Sequence, residues 1–180
     1  HIDLNRIIEG IITEKDVDGF SSENVGKLSL NKPFISPCTP KGIMKMIASI
    51  KYELKGKDCV IIGASNIVGR PMAMELLNAG ATVQVCHKET KDITQKTKSA
   101  DVIIAAAGVA NLVKSDWVKD GAIIIDVGIN RLENGKLAGD VDFEDVKDKV
   151  SAISPVPGGV GPMTIAVLLE NTLIAYQAKL

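Results

Sequence analysis

Between Cys59 and Ile153 the apolar residues gather into short runs bounded by glycine, asparagine or charged positions. Cys59-Val60-Ile61-Ile62 is rich in β-branched side chains and too short for a helix. Such a run predicts a parallel strand covered on both faces. Thr82–Cys86, Asp101–Ala106, Ala122–Val127 and Ser151–Ile153 predict four more strands. A helical stretch from Gly69 to Leu77, stopped by Asn78-Ala79-Gly80, separates the first two. A polar helix over Asp92–Ser99 leads into the third. Strands alternating with helices or helix-length connections predict an α/β fold with a doubly wound parallel sheet, Rossmann-like in layout. Arg131–Leu137 predicts a hairpin with Asn134-Gly135 at its tip.

The flanks carry a different period. Ile2, Leu4, Ile7, Ile8, Ile11 and Ile12 make a helical stripe over His1–Ile12, cut short at Gly10. Ser21 or Ser22 is placed to cap a short helix over Glu23–Leu30. Phe34–Pro40 reads as a rigid extended linker, with Thr39 as helix cap and Pro40 in the first position of a helix to about Tyr52. A long apolar helix is expected from Thr164 to about Ala178. The chain opens on His1 with no cap and no initiator methionine, so an upstream segment is expected.

Composition narrows the function classes. With 46% hydrophobic and 24% charged residues, 180 residues can build a core. Aromatic residues at 3% leave few stacking platforms for single-stranded nucleic acid, and a net charge of −1 argues against a DNA-binding surface. No eighteen-residue apolar run and no signal peptide direct the chain to a membrane or to secretion, so a cytoplasmic location is expected. Cys38, Cys59 and Cys86 are odd in number and far apart, which fits a reducing compartment, and with two histidines they form no metal-ligand pattern.

The chemistry centres on Cys59–Leu77. A tight turn at Gly63 before a helix leaves N–H groups and the helix dipole facing outward, a setting for a phosphate-bearing ligand. The spacing is Gly63-Ala64-Ser65-Asn66-Ile67-Val68-Gly69, with Ser65 at the second glycine position of the usual fingerprint and one residue added. A strand-to-helix turn that binds nothing is the alternative. The second strand ends in His87-Lys88, where an NAD site usually carries an acid for the ribose 2′-OH. A cation there suits a 2′-phosphate and favours NADP; otherwise Lys88 is a solvated loop lysine. Asp16-Val17-Asp18-Gly19-Phe20 reads as a turn or as a polar-ligand site. Cys38 reads as a small buried residue rather than a nucleophile. Ser154-Pro155-Val156-Pro157-Gly158-Gly159-Val160-Gly161-Pro162 packs three glycines between prolines. Ordering glycine is entropically costly, so a ligand-site wall is favoured over a swivel linker.

The strings DVDGF, SPCTPKG, GASNIVGRPM, DVGINRLENGKLAGDV and PVPGGVGPMT, in this order, resemble the bifunctional methylenetetrahydrofolate dehydrogenase/cyclohydrolase family of folate one-carbon metabolism. The resemblance runs from His1 to Leu180, and its last motif is the most specific. It implies NADP-dependent oxidation of 5,10-methylenetetrahydrofolate to the methenyl form and hydrolysis of that form to 10-formyltetrahydrofolate in one cleft. It further implies a cytoplasmic homodimer serving purine and amino-acid biosynthesis, with no nucleic-acid or membrane partner. Residues 1–33 then belong to a catalytic folate domain, 34–154 to the NAD(P)-binding domain, and 155–180 to a loop and helix returning to the first. Asp18 matches a pterin-contacting aspartate. Pro155, Pro157, Gly158 and Gly159 match the loop between folate and nicotinamide. Gly63, Ala64, Ser65 and Ile129 match cofactor contacts, with Lys88 supplying charge where many members have an arginine in place of Ala64. The family's catalytic lysine and tyrosine belong to a Tyr-x-x-x-Lys motif expected upstream of residue 1, and no catalytic or metal-binding residue is assigned within the chain. Tyr52 and Lys55 are three apart, not four, and precede the first strand. Two further readings stay open: a cofactor-binding module without turnover, and another small Rossmann dehydrogenase of shikimate type, which the Pro155–Thr164 motif speaks against.

Overall fold

A computed structural model describes residues 3–178; His1, Ile2, Lys179 and Leu180, at the outer ends of the first and last predicted segments, lie outside the described residues. In chain order the elements are α1 (Leu4–Gly10), a 3₁₀ turn (Thr13–Lys15), α2 (Ser22–Ser29), α3 (Cys38–Ser49), β1 (Asp58–Ile62), α4 (Gly69–Asn78) and β2 (Thr82–Cys86). There follow α5 (Ile93–Thr97), β3 (Val102–Ala105), a second 3₁₀ turn (Ser115–Trp117), β4 (Ile123–Asp126), β5 (Asn130–Arg131), β6 (Leu137–Ala138), α6 (Phe143–Val146), β7 (Ala152–Ile153) and α7 (Val160–Gln177).

All five predicted strands form one parallel sheet, ordered β2-β1-β3-β4-β7. Successive strand residues point to opposite faces, so an all-apolar strand serves two cores. Cys59 and Ile61 of β1 join Val102, Ile104, Ile123 and Ile125 against Ile43, Ile47, Met72 and Leu76 of α3 and α4. Val60 and Ile62 join Ile103 and Ile124 on the other face, against Val113, Val118, Val141 and Val146. Both cores therefore pass through β1, β3 and β4, and the period-two pattern is hidden because both phases are apolar. The hairpin forms as expected, with β5 antiparallel to β6. Among the described residues no helix is long and apolar enough to cross a membrane.

Three helix boundaries differ from the sequence reading. α3 starts at Cys38, capped by Pro37, so Thr39 is inside the helix and not its cap. Its hydroxyl instead lies 2.9 Å from that of Thr164 on α7. α7 starts at Val160, four residues before the expected Thr164. Pro40 and Pro162 both fall in first turns, where a missing N–H breaks no intrahelical bond, so neither proline delays its helix. α5 shrinks to Ile93–Thr97 because Asp92 takes a left-handed φ of 54°.

The Asp16–Phe20 segment is a turn built on one carboxylate. Asp16, 5% exposed, accepts from the N–H groups of Gly19 (2.9 Å), Phe20 (3.1 Å) and Ser21 (2.7 Å) and from Asn24 Nδ2 (2.9 Å). Burial opposes the charge, but the bonds from Asn24, Ser21 and Phe20 outweigh it and hold the carboxyl below its ordinary value. Ser21 then caps α2 by accepting from Asn24 N–H.

A carboxyl with a lowered folded-state pKa stabilises the fold above its unfolded pKa, and that contribution is lost as pH falls through the folded value. Asp16→Ala is expected to cost about 2–4 kcal/mol at pH 7 through four lost charge-assisted bonds. The difference from wild type should shrink as pH drops below the ordinary aspartate value of 3.8 and through the lower folded one. Urea melts of both proteins between pH 7 and pH 3 check this; a difference independent of pH would assign the loss to packing.

Candidate functional site

In this strand order β1 lies between β2 and β3, and the connections leave β1 in opposite directions, so a crevice opens at the carboxyl ends of β1 and β3. Its floor is set by a backbone contact. Gly63 has φ +122°, donates its N–H to Cys86 O at 2.8 Å, and leaves no room for a side chain: a Cβ there would overlap Ala106 O. A Cβ on Gly69 would likewise overlap Gly63 O, so α4 begins pressed against the turn. Ser65 Oγ accepts from Val68 N–H at 3.2 Å and closes the loop between them. The turn is thereby held at the mouth of the ten-residue α4, whose dipole favours an anion.

Pairing of Ile62 with Cys86 brings the end of β2 beside this turn. Lys88 projects there with 89% of its side chain exposed, its ammonium 3.8 Å from Glu89. The sequence reading overlooked Arg70, whose Nε donates to Ala64 O at 3.2 Å. This sets a cation directly against the turn, on the backbone of Ala64. Its position in the first turn of α4 was the available signal.

Ile129 and the loop Pro155–Gly159 line a common cavity of about 240 Å³, floored by Asp126 and Val127 at the end of β4. The structure thus joins an expected cofactor contact to the expected substrate loop. Gly159 is buried, whereas Pro155, Pro157 and Gly158 are exposed, as is Ile129 at 65%. A larger cavity of about 490 Å³ lies between α1, α2 and α4, lined by Phe20, Leu28, Ile67, Arg70 and Met74 among others. None of the sequence-predicted site residues lines it, and we place the site at the carboxyl edge of the sheet, where the convergent loops are.

Asp18 is exposed and lines neither of these cavities; its segment is tied to the middle of α7. The link is Asn171, which has no exposed surface. Its Nδ2 donates to Val17 O and to Ser36 O, both at 2.9 Å, and its Oδ1 accepts from Lys41 Nζ at 3.1 Å. Sequence reasoning missed Asn171 because it sits in an apolar run. The signal was its place in the inward stripe of α7, four residues from each of the buried Val167 and Ala175. Cys38 is buried beneath, its thiol donating to Val17 O at 3.4 Å, and burial, with the nearby Asp18 charge, pushes the thiol to about 11. Tyr52 senses the charges of Asp101 and Lys119, and Asp101 bonds the N–H of Asp58, the first residue of β1. Tyr52 therefore lies at the amino edge of the sheet, away from the crevice.

Asn171→Ala removes the donations to the Val17 and Ser36 carbonyls and leaves Val17 O only the weak Cys38 thiol donor. A loss of about 2–3 kcal/mol is expected, together with faster alkylation of Cys38 than of Cys59 or Cys86. Peptide mapping after a timed pulse of iodoacetamide reads this; unchanged Cys38 labelling would show that Asn171 does not hold the segment.

Residues 37–180 match the family model described as tetrahydrofolate dehydrogenase/cyclohydrolase, NAD(P)-binding domain. The chain is 61% identical over 180 residues to the bifunctional protein FolD of Vesicomyosocius okutanii, covering all of this chain and 65% of that protein. The crystal structure of the bifunctional FolD enzyme, methylenetetrahydrofolate dehydrogenase/cyclohydrolase, of Campylobacter jejuni superposes with a TM-score of 0.98 at 61% identity, covering 100% of this chain and 64% of that one. The Trypanosoma brucei enzyme, complexed with NADP cofactor and inhibitor, gives a TM-score of 0.94 at 38% identity over 99% of this chain and 64% of that one. The chain therefore spans about 65% of the length of the first-named of these relatives.

Proposed function

The chain belongs to the tetrahydrofolate dehydrogenase/cyclohydrolase family, and from that premise we propose that its crevice binds NADP and forms part of a folate-processing cleft. The observation that carries the proposal is the common cavity of Ile129 and Pro155–Gly159 at the carboxyl edge of the sheet. The residues present fit the dinucleotide: Gly63 and Gly69 keep the turn free of side chains, so a pyrophosphate can approach Ala64 and Ser65 at the mouth of α4. Lys88, with Arg70 nearby, supplies positive charge for a 2′-phosphate, and Ile129 and the Pro155–Gly159 loop flank the nicotinamide. Asp18 takes the pterin of the folate. We keep the division into 1–33, 34–154 and 155–180 as catalytic-domain segment, NAD(P)-binding domain and returning helix.

For a protein with the full length of the relatives, the proposed reactions are oxidation of 5,10-methylenetetrahydrofolate and hydrolysis of the methenyl product to 10-formyltetrahydrofolate. Bound NADP supplies the hydride acceptor. Of this chain's residues, Asp18 orients the folate, and Ile129 with the proline–glycine loop holds the ring faces together and limits water. Both steps need a group that manages protons at the one-carbon bridge. No lysine–tyrosine pair with the family's spacing occurs among the 180 residues, so this stretch alone is assigned cofactor binding without turnover. The proposed setting is a cytoplasmic homodimer feeding purine and amino-acid biosynthesis.

Isothermal titration of NADP and NAD into wild type and Lys88→Ala tests the cofactor assignment. NADP is expected to bind more tightly, and Lys88→Ala to lose about 1–3 kcal/mol for NADP with NAD unchanged. Equal affinities in wild type would overturn the choice of cofactor, and an unaffected mutant would remove Lys88 from the site. Absorbance of the methenyl product, with NADP and methylenetetrahydrofolate supplied to the 180-residue chain, should stay flat. Turnover there would place the proton-handling group among these residues.

A further inference from the structure

Three consecutive N–H groups at the end of β3 converge on one carboxylate. Asp140, with no exposed surface, accepts from Ala107 (2.6 Å), Gly108 (2.8 Å) and Val109 (3.0 Å), and from Asn130 Nδ2 (2.9 Å). Oδ2 takes the first two donors and Oδ1 the other two. A carboxylate has about four acceptor positions, so its capacity is filled. An amide of the same shape would turn its NH₂ toward two donors whichever way it is flipped.

A second carboxylate sets Asp140 in place. Asp126 Oδ1 accepts from the N–H groups of Asp140 and Gly128, both at 2.9 Å, and Oδ2 accepts from Val141 N–H at 3.0 Å. Side chains at two glycines would block the arrangement: a Cβ on Gly128 would overlap Asp140, and one on Gly139 would overlap the Asp126 carboxylate. Burial, with the charge of Asp140 as a smaller contribution, pushes Asp126 above the ordinary carboxyl range against the pull of its three donors.

This clamp accounts for the DVGIN and GKLAGDV ends of the long motif, of which only Ile129 had been given a role. It spans the cleft. One side is the loop after β3, whose Ala106 carbonyl abuts Gly63 at the crevice floor. The other is Asn130, adjacent to Ile129, whose side chain lines the cavity with the proline–glycine loop. With its N–H groups turned onto Asp140, the loop Ala107–Val109 has no donors left for a phosphate, which leaves that task to the turn at Gly63.

We propose that Asp140 is a positioning residue for the cofactor: it fixes the distance between the β3 loop and Ile129, and so the width of the slot that receives the nicotinamide end. This rests on the reading of the crevice as an NADP site. The test compares wild type, Asp140→Asn and Asn130→Ala by NADP titration, thermal melting and amide hydrogen exchange. Asp140→Asn should weaken NADP at least tenfold and speed exchange at Ala107–Val109 at least tenfold, while Ile103 and Ile124 in the sheet stay protected. Asn130→Ala removes the bond to Asp140 and a longer one to Ala138 O (3.4 Å) from a half-buried position; it should melt within a few degrees of wild type yet bind NADP at least threefold more weakly. If Asp140→Asn does not fold, Asn130→Ala decides alone. Wild-type NADP affinity in Asn130→Ala would overturn the proposal. Absence of binding by wild type would instead overturn the NADP reading, and the two failures are thereby distinct.

Discussion

The tightest constraint in the molecule is the meeting of two backbones at the end of the sheet's inner strands. Gly63 can take its φ of +122° and lie against the Ala106 carbonyl because it has no side chain. β1 and β3 are thereby closed at their carboxyl ends without intervening atoms, and α4 starts directly on the turn because Gly69 meets Gly63 O in the same way. Both apolar cores depend on this arrangement, since the strands that carry Ile61 and Ile103 are aligned by it and Met72 and Leu76 are placed by the start of α4. A binding crevice at this spot follows from the same geometry: what excludes side chains also leaves open space above the strand ends.

Around that centre the chain reuses one electrostatic device. Asp16, Asp126 and Asp140 are buried, and each carboxylate is surrounded by backbone N–H groups. The donors are fixed dipoles with no side-chain entropy to lose, so each carboxylate orders a loop that has little apolar surface to bury. Asp16 shapes the segment carrying Asp18, and Asp126 with Asp140 shapes the two loops flanking the cavity. The elements that would touch ligand are thus held by hydrogen bonds, while the sheet beneath is held by apolar packing.

Local pattern made the sheet legible. Three apolar runs became the inner strands β1, β3 and β4 because parallel strands buried on both faces need nothing but apolar residues; Thr82–Cys86 and Ala152–Ile153 form the more exposed edges, and Asn134-Gly135 forms its turn from local backbone preference alone. Helix starts were less legible. A cap is visible in sequence only when its side chain bonds locally, and Thr39 bonds across 125 residues to Thr164 instead. The anchoring polar residues were illegible for the same reason. Asp140 gathers backbone N–H groups 31–33 residues away and Asn171 bonds partners 130–154 residues away, so their bonds leave no local pattern, and only the place of Asn171 in the inward stripe of α7 hinted at burial. Position 64 was informative as a departure from the family pattern; the nearby cation was signalled only by the place of Arg70 in a helix's first turn, because its bond to Ala64 O forms across the turn.

All three cysteines are buried, and burial raises every thiol, Cys38 to about 11 and Cys59 to about 12. At pH 7 the thiolate, the form that reacts, is therefore scarce at each of them. The fold therefore shields its own sulfur from electrophiles. A cysteine newly placed on the exposed rim of the cavity, for instance at position 129, can be derivatised with a fluorophore or spin label while the native three stay in place. The protein is in this sense already prepared for site-directed spectroscopy of its own cleft.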